Sequence, residues 1–313
     1  MKKLYDFTLG CDPEFIFVDN GIMVPACDLI RDAYQGKKGL FGYDGSGGGP
    51  AEIRPVPATD PIMLVKNIKY CLQLGLNTIP RTGNYDWVAG SAPRNVSLGG
   101  HIHIGLLGVP DSRKVRKSLT NFLDRIVAVP ALMIENKAEA YFRRSTSYGK
   151  PSDCRYDDVP WGYEYRTLSS WLVSPEIATC ILALSYITIW EFINGSIDKN
   201  LILPIDTARF VNIDEAYLRG LIPAIREDIS RFQLYPEYKE YIDDIFDVLI
   251  ANDRTWYDDR GDMKVTWGLS KPSMQEIKDK EADNVVASLF DDGVFLNDIP
   301  DQFAIIPSIE EEE

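Results

Sequence analysis

The chain has 313 residues and a formal net charge of −14, from 33 basic and 47 acidic side chains. That acidity argues against non-specific binding to nucleic acid or to an anionic membrane. With 45% hydrophobic and 26% charged residues the composition is globular, and the two histidines exclude a site built on three imidazoles.

In chain order, residues 4–10, 12–18 and 21–26 read as short strands separated by Gly, Asn and Asp. Helical apolar spacing follows over 61–76, then a strand over about 99–107. The stretch 112–144 reads as one long helical segment that Pro130 should kink or divide. A polar loop over 145–162 leads to a strand at about 163–168. After Pro175 the pattern turns helical, at 176–194, 213–232 and 236–251, with a weaker helix over 272–290 and an acidic tail at 306–313. The most apolar run, 177–190, is too short to span a bilayer and suits a buried helix. The predicted class is α+β, a single domain over 1–305 that is strand-rich to 175 and mostly helical beyond it. Cys11, Cys27, Cys71, Cys154 and Cys180 form no CxxC pair, and no signal peptide is legible; both point to reduced thiols in the cytoplasm.

Four tripeptides carry polar residues at i and i+2: Asp12-Pro13-Glu14, Glu52-Ile53-Arg54, His101-Ile102-His103 and Glu164-Tyr165-Arg166. In a strand, each pair shares one face. Any one of them is the ordinary charged face of a half-exposed sheet. Together they suggest a site, because both histidines of the chain fall in one pair. No HExxH motif is present, and a two-histidine, one-carboxylate iron site stays open. An oxygen-rich set with one or two imidazoles better suits Mg²⁺ or Mn²⁺, ions that commonly hold nucleotide phosphates.

The glycine-rich run at 42–49 is not a P-loop, since no Gly-Lys-Ser/Thr follows and the next element is a strand. It is either a flexible turn or a place of close backbone approach to a ligand, flanked by Asp44 and Glu52. Arg143, Arg144, Lys150 and Arg155 are either solvated charges or a clamp for phosphate or carboxylate.

The ordered motifs GCDPEF, YDGSGGGPAEIRP, GGHIHIG and YEYRTLSSW, with YGKPSDCR before the last, resemble the phage-type COOH–NH2 ligases of the glutamine synthetase and glutamate–cysteine ligase superfamily. The likeness covers about residues 8–175. It implies a glutamine synthetase-like catalytic domain: an antiparallel sheet with a concave ATP and metal face, backed by helices. It implies Asp12, Glu14, Asp44, Glu52, His101 and Glu164 as metal ligands, with Asp12 where many relatives carry Glu. His103 would face nucleotide or substrate, and Arg166 the transferred phosphate. Glu52, His103 and Arg166 are the catalytic candidates; Arg54, Arg143, Lys150, Arg155 and Arg166 are those for holding ATP.

The activity implied is ATP-dependent amide or peptide bond formation through an acyl phosphate, with Mg²⁺ or Mn²⁺ and with small-molecule or peptide carboxylates and amines as partners. Two alternatives stand beside it: an inactive ligase-like binding or assembly protein, and a metal-dependent phosphotransferase. Binding of Mn–ATP separates the first, and the product, phosphoester or amide, separates the second. The identity of the acid and amine and the oligomeric state are not legible in the sequence.

Overall fold

A computed structural model describes residues 5–31, 39–45, 48–106, 112–155, 162–195, 197–251 and 261–270. All of these fall within the unit Met1–Ser270. The helix expected at 272–290 and the acidic tail lie outside the described residues.

Two antiparallel sheets meet at the start of the chain. The first has the order β1 (Phe7–Cys11), β7 (Ile102–Leu106), β9 (Gly162–Tyr165), β8 (Cys154–Arg155). The second runs β3 (Ile22–Val24), β2 (Glu14–Asp19), β5 (Ala51–Ile53), β4 (Phe41–Tyr43), with β6 (Asp86–Val88) also on β2. Asp12 and Pro13 are the step between the sheets, so the first acidic pair is not one strand, as its spacing suggested. Pro13 fits that break because it has no N–H to give a ladder, while its carbonyl accepts from Ile53.

Strand alternation sorts the side chains. Phe7, Leu9, Ile102, Ile104, Tyr163 and Tyr165 enter the main core, which leaves Gly10, His103 and Glu164 aligned on the other face. On β2, Phe15 and Phe17 pack with Phe41 and Trp87, at ring separations of 5.2–6.5 Å. Ile16 and Val18 face a smaller cluster with Leu98, so β2 is buried on both sides.

Helices cover the core side. They are the short α1 (Ala26–Leu29), then α2 (Pro61–Thr78), α3 (Arg113–Leu123), α4 (Val129–Ile134), α5 (Lys137–Ser145), α6 (Pro175–Asn194), α7 (Thr207–Val211), α8 (Glu215–Ser230), α9 (Tyr235–Ala251) and α10 (Met263–Thr266). Proline at the first helical position and an N-cap acceptor start two of the long ones: Asp60 accepts from Met63 N–H, and Ser174 from Ile177 N–H. The long helical stretch does not divide at Pro130: it runs on through one π-helical turn, Asp124–Ala128, and breaks instead at Glu135, which is extended, before Asn136 caps α5. Proline has no N–H for the carbonyl four residues back, and the wider turn precedes it.

α6 is longer than its apolar run suggested. At 20 residues it is long and apolar enough to cross a membrane by length and composition, but 61% of its apolar window is buried inside the protein. Ile181, Leu184 and Ile187 are fully buried core residues, and the helix packs on α2 and α9.

Candidate active site

The two sheets enclose a polar cleft of about 400 Å³ between their meeting edges. Five carboxylates line it: Asp12 from the step, Glu14 from β2, Asp44 after β4, Glu52 from β5 and Glu164 from β9. Their placement follows from register. Glu14 opposes Glu52 in the second sheet, and His103 opposes Glu164 in the first. Another hollow of about 410 Å³, between α8 and α9, shares no residue with the cleft.

The carboxylates form two groups. Asp12, His103 and Glu164 offer ligand atoms within 4.8 Å of one another, and so do Glu14, Asp44 and Glu52. Ligands on opposite sides of a Mg²⁺ ion lie about 4 Å apart, from metal–oxygen distances of about 2.1 Å. The donor set is hard and oxygen-rich, so both groups fit a divalent cation of that class.

Electrostatics show the same need. Burial pushes Glu52 up to about 9, with Asp12 adding to it and Arg54 opposing. Burial pushes Glu14 up to about 7, against the pull of His101 and of the Gly99 N–H, which donates to Glu14 Oε2 at 2.5 Å. Asp12 goes the other way: burial is outweighed by His101 and His103, and its carboxyl is held well below the usual range. His103 is raised, because Asp12 outweighs the cost of burial. A buried carboxylate cluster with too few cations beside it holds protons until something positive replaces them.

The resemblance gave the metal to His101 and the substrate side to His103. His101 lines the cleft and His103 does not, yet His103 also groups with Asp12 and Glu164, its Nε2 3.3 Å from Asp12 Oδ2. Both nitrogens of His101 are engaged by protein: Nδ1 lies 3.0 Å from Asp12 Oδ1 and 3.0 Å from Glu164 Oε1, and Nε2 lies 2.5 Å from Tyr148 Oη. His101 thus bridges two carboxylates and the Tyr148 hydroxyl.

The basic residues also divide. Arg166 lines the cleft with Nη1 3.6 Å from Glu164, and Arg155 stands at its rim 3.5 Å from the same carboxylate. Arg143 does not reach the cleft. It is fully buried, donating to the carbonyls of Thr167 and Leu168 at 3.0 and 2.8 Å, with its guanidinium 4.3 Å from the Tyr148 ring centre. Lys150 is not among the cleft residues, and its Nζ donates to Ser147. Arg54 ties strand ends, bonding Glu52 at 2.9 Å and the carbonyls of Gly39 and Tyr43 at 3.1 and 3.0 Å. Arg144 is an inward ion pair with Glu135. Arg143 and Arg144 both lie in the last turn of α5, inside the stretch expected to be helical.

Two further residues matter. Tyr148, half-buried between His101 and Arg143, and Gly99, whose N–H holds Glu14, sit inside motifs that drew attention only for their charged members. A methyl at Gly99 would fall on the Tyr148 hydroxyl and on His101 Nε2. Gly99→Ala should therefore weaken Mn²⁺ binding about 10–100-fold in calorimetry and lower the melting temperature as well, since buried side chains must shift. Unchanged affinity would remove His101 and Tyr148 from the site. Of the glycine-rich turn, residues 46 and 47 lie outside the described residues; Gly48, at φ +69°, packs on Cys27, and the carbonyls of Gly48 and Gly49 accept from the start of α1.

Residues 9–269 match the model of the phage phiEco32-like COOH.NH2 ligase-type 2 family. The chain belongs to this family. The family is described as one of carboxylate–amine ligases, and the α+β fold expected from the motifs is the fold observed. Among solved structures, the ligase is similar to PafA, in its complex with the prokaryotic ubiquitin-like protein Pup, at 9% identity and a TM-score of 0.53, covering 87% of this chain and 71% of that one. It also matches a bifunctional glutathione synthetase from Pasteurella multocida, at 10% identity and a TM-score of 0.49, covering 88% of this chain and 52% of that one. The ligase thus spans about half the length of the glutathione synthetase. No curated protein matches it.

Proposed function

We propose that the cleft binds ATP with divalent cations and forms an amide through an acyl phosphate. The observation that carries this reading is the pair of facing carboxylate groups, one on each sheet, with Arg155 and Arg166 beside them. Carboxylates in this number repel a triphosphate unless cations lie between them, and Mg²⁺ or Mn²⁺ suits the oxygen donors. When bound, such an ion screens the triphosphate and withdraws charge from its oxygens.

A free carboxylate is a poor electrophile. One of its oxygens would form a bond to the γ-phosphorus as the bond to the bridging oxygen breaks and ADP leaves. The amine would then attack the acyl carbon, the carbon–oxygen bond to phosphate would break, and the amine would lose a proton. Arg166, held against Glu164, and Arg155 at the rim would balance charge on phosphate oxygens. His103, Asp12 and Glu164 would hold one ion, and Glu14, Asp44 and Glu52 the other.

Ion binding must displace the protons on Glu14 and Glu52. Their carboxyls sit near 7 and 9, so affinity should fall as pH drops from 8 to 6, by about a hundredfold or more, with protons released on binding. The linkage runs the same way for stability. The folded, metal-free protein keeps protons that the unfolded chain has lost, so it weakens as pH rises from about 5 to 9, and Mn²⁺ should restore it. Calorimetry with Mn²⁺ and with Mn–ATP, in buffers of different ionisation heat, measures this directly. Binding of neither, or binding indifferent to pH, would defeat the reading.

A further inference from the structure

Asp124 is 1% exposed and sits at the head of the π-helical turn, outside every role assigned so far. Its Oδ1 accepts from Tyr165 Oη and Thr167 Oγ1, both at 2.9 Å, and its Oδ2 accepts from the Ser152 N–H at 2.6 Å. One turn earlier Asn121 accepts from Ser152 Oγ at 3.1 Å and donates to the Ile202 carbonyl at 3.0 Å. Two helical side chains thus grip Ser152 by its backbone and its hydroxyl.

What they grip is the wall of the cleft. Segment 147–155 carries Tyr148, bonded to His101, and Arg155, beside Glu164. Ser147, Gly149 and Ser152 have φ of +72°, +70° and +68°, a region that L side chains adopt rarely, so the segment needs outside ties to keep this shape. Tyr165 and Thr167 flank Arg166, so Asp124 holds the back of the chain whose front presents Glu164 and Arg166. The Arg166 N–H joins the two by donating to the Asp153 carbonyl at 2.9 Å.

We infer that Asp124 is a positioning residue of the ligase, locking segment 147–155 onto the strand that carries Glu164 and Arg166 and so setting the cleft wall. Its effect on turnover rests on the ligase reading; its effect on the segment does not. Single-turn π insertions recur at functional sites, and here one delivers a carboxylate to three donors on two elements.

Asparagine can nearly replace this group. Its oxygen can accept from the Ser152 N–H, while its NH2 donates to the two hydroxyls, and Thr167 Oγ1 can pass its hydrogen to the Lys150 carbonyl 3.2 Å away. Alanine can do none of this.

The test is amide hydrogen exchange on the full chain, with steady-state ADP formation beside it, for wild type, Asp124→Ala, Asp124→Asn and Tyr165→Phe. In Asp124→Ala, exchange over 147–155 should rise about tenfold or more with α6 unchanged. Its kcat should fall about 10–100-fold while KM for ATP moves less than about threefold. Asp124→Asn should keep both readouts within about fivefold of wild type, and Tyr165→Phe should fall between. Unchanged exchange in Asp124→Ala, or equal loss in Asp124→Asn, overturns the inference. If Asp124→Ala loses protection everywhere, Tyr165→Phe decides: faster exchange confined to 147–155 supports it and none refutes it. A wild type that forms no ADP with any acid sinks the ligase reading instead, and the exchange data still judge Asp124.

Discussion

Glu164→Gln is expected to lower metal-dependent ADP formation by about 10³. The carboxylate is the meeting point of the first sheet's chemistry. Its Oε1 lies 3.0 Å from His101 Nδ1 and 3.6 Å from Arg166, and its Oε2 lies 3.5 Å from Arg155. It also completes the group formed with Asp12 and His103. An amide keeps the size but loses the charge, and its NH2 would face donors. Three neighbours each lose one charged partner in one substitution. The strand should survive, since Glu164 faces the cleft while Tyr163 and Tyr165 hold the core. Turnover within about threefold of wild type, at an unchanged melting temperature, would remove Glu164 from the site.

The largest stability effect should come from Glu135. With Arg144 it forms a two-pronged pair, at 2.9 and 3.1 Å, and each side chain is 1% exposed. Ser91 Oγ donates to the same carboxylate at 2.7 Å, and the guanidinium lies 5.2 Å from the Phe210 ring centre. Glu135→Ala leaves a buried guanidinium without its counter-charge, at a cost of about 3–5 kcal/mol. For a chain of this size that is a fall of roughly 10 °C in Tm. The double variant Glu135→Leu with Arg144→Met should lose less than the single one, because no charge is then stranded. Burial raises the Glu135 carboxyl, but Arg144 outweighs it and holds the group below its ordinary value. The pair therefore stabilises fully above the unfolded carboxyl's pKa and loses its effect as pH falls through the folded one. A double variant weaker than the single would contradict this account.

The sequence carried the site's carboxylates and the architecture around them, because strand alternation is short-range and its period is fixed. Gly10, His103 and Glu164 align across three strands as that period requires. What it could not carry was the partner of each side chain. The spacing of His101 and His103 puts both on one face, but Tyr148, 47 residues away from His101, decides which one is already engaged. Arg143 and Arg144 read either as solvated charges or as a clamp for phosphate or carboxylate. Their burial depends on Glu135 and on carbonyls near 167, contacts set by where α5 packs. Asp124 showed no signal at all, since a single carboxylate in an amphipathic helical stretch looks like any other. The π-helical turn that aims it inward has no motif of its own.

In the proposed reaction an oxygen of the acid substrate passes to phosphate. The direct measurement incubates the ligase with ATP, Mg²⁺, hydroxylamine as a general amine and a panel of amino acids labelled with ¹⁸O in their carboxylates. Mass spectrometry then reads the released phosphate and the hydroxamate. One labelled oxygen is expected in phosphate for each ADP and each hydroxamate formed, with both products about 10³-fold slower in Glu164→Gln. Phosphate labelled only from water, or a stable phosphoester without hydroxamate, would contradict it.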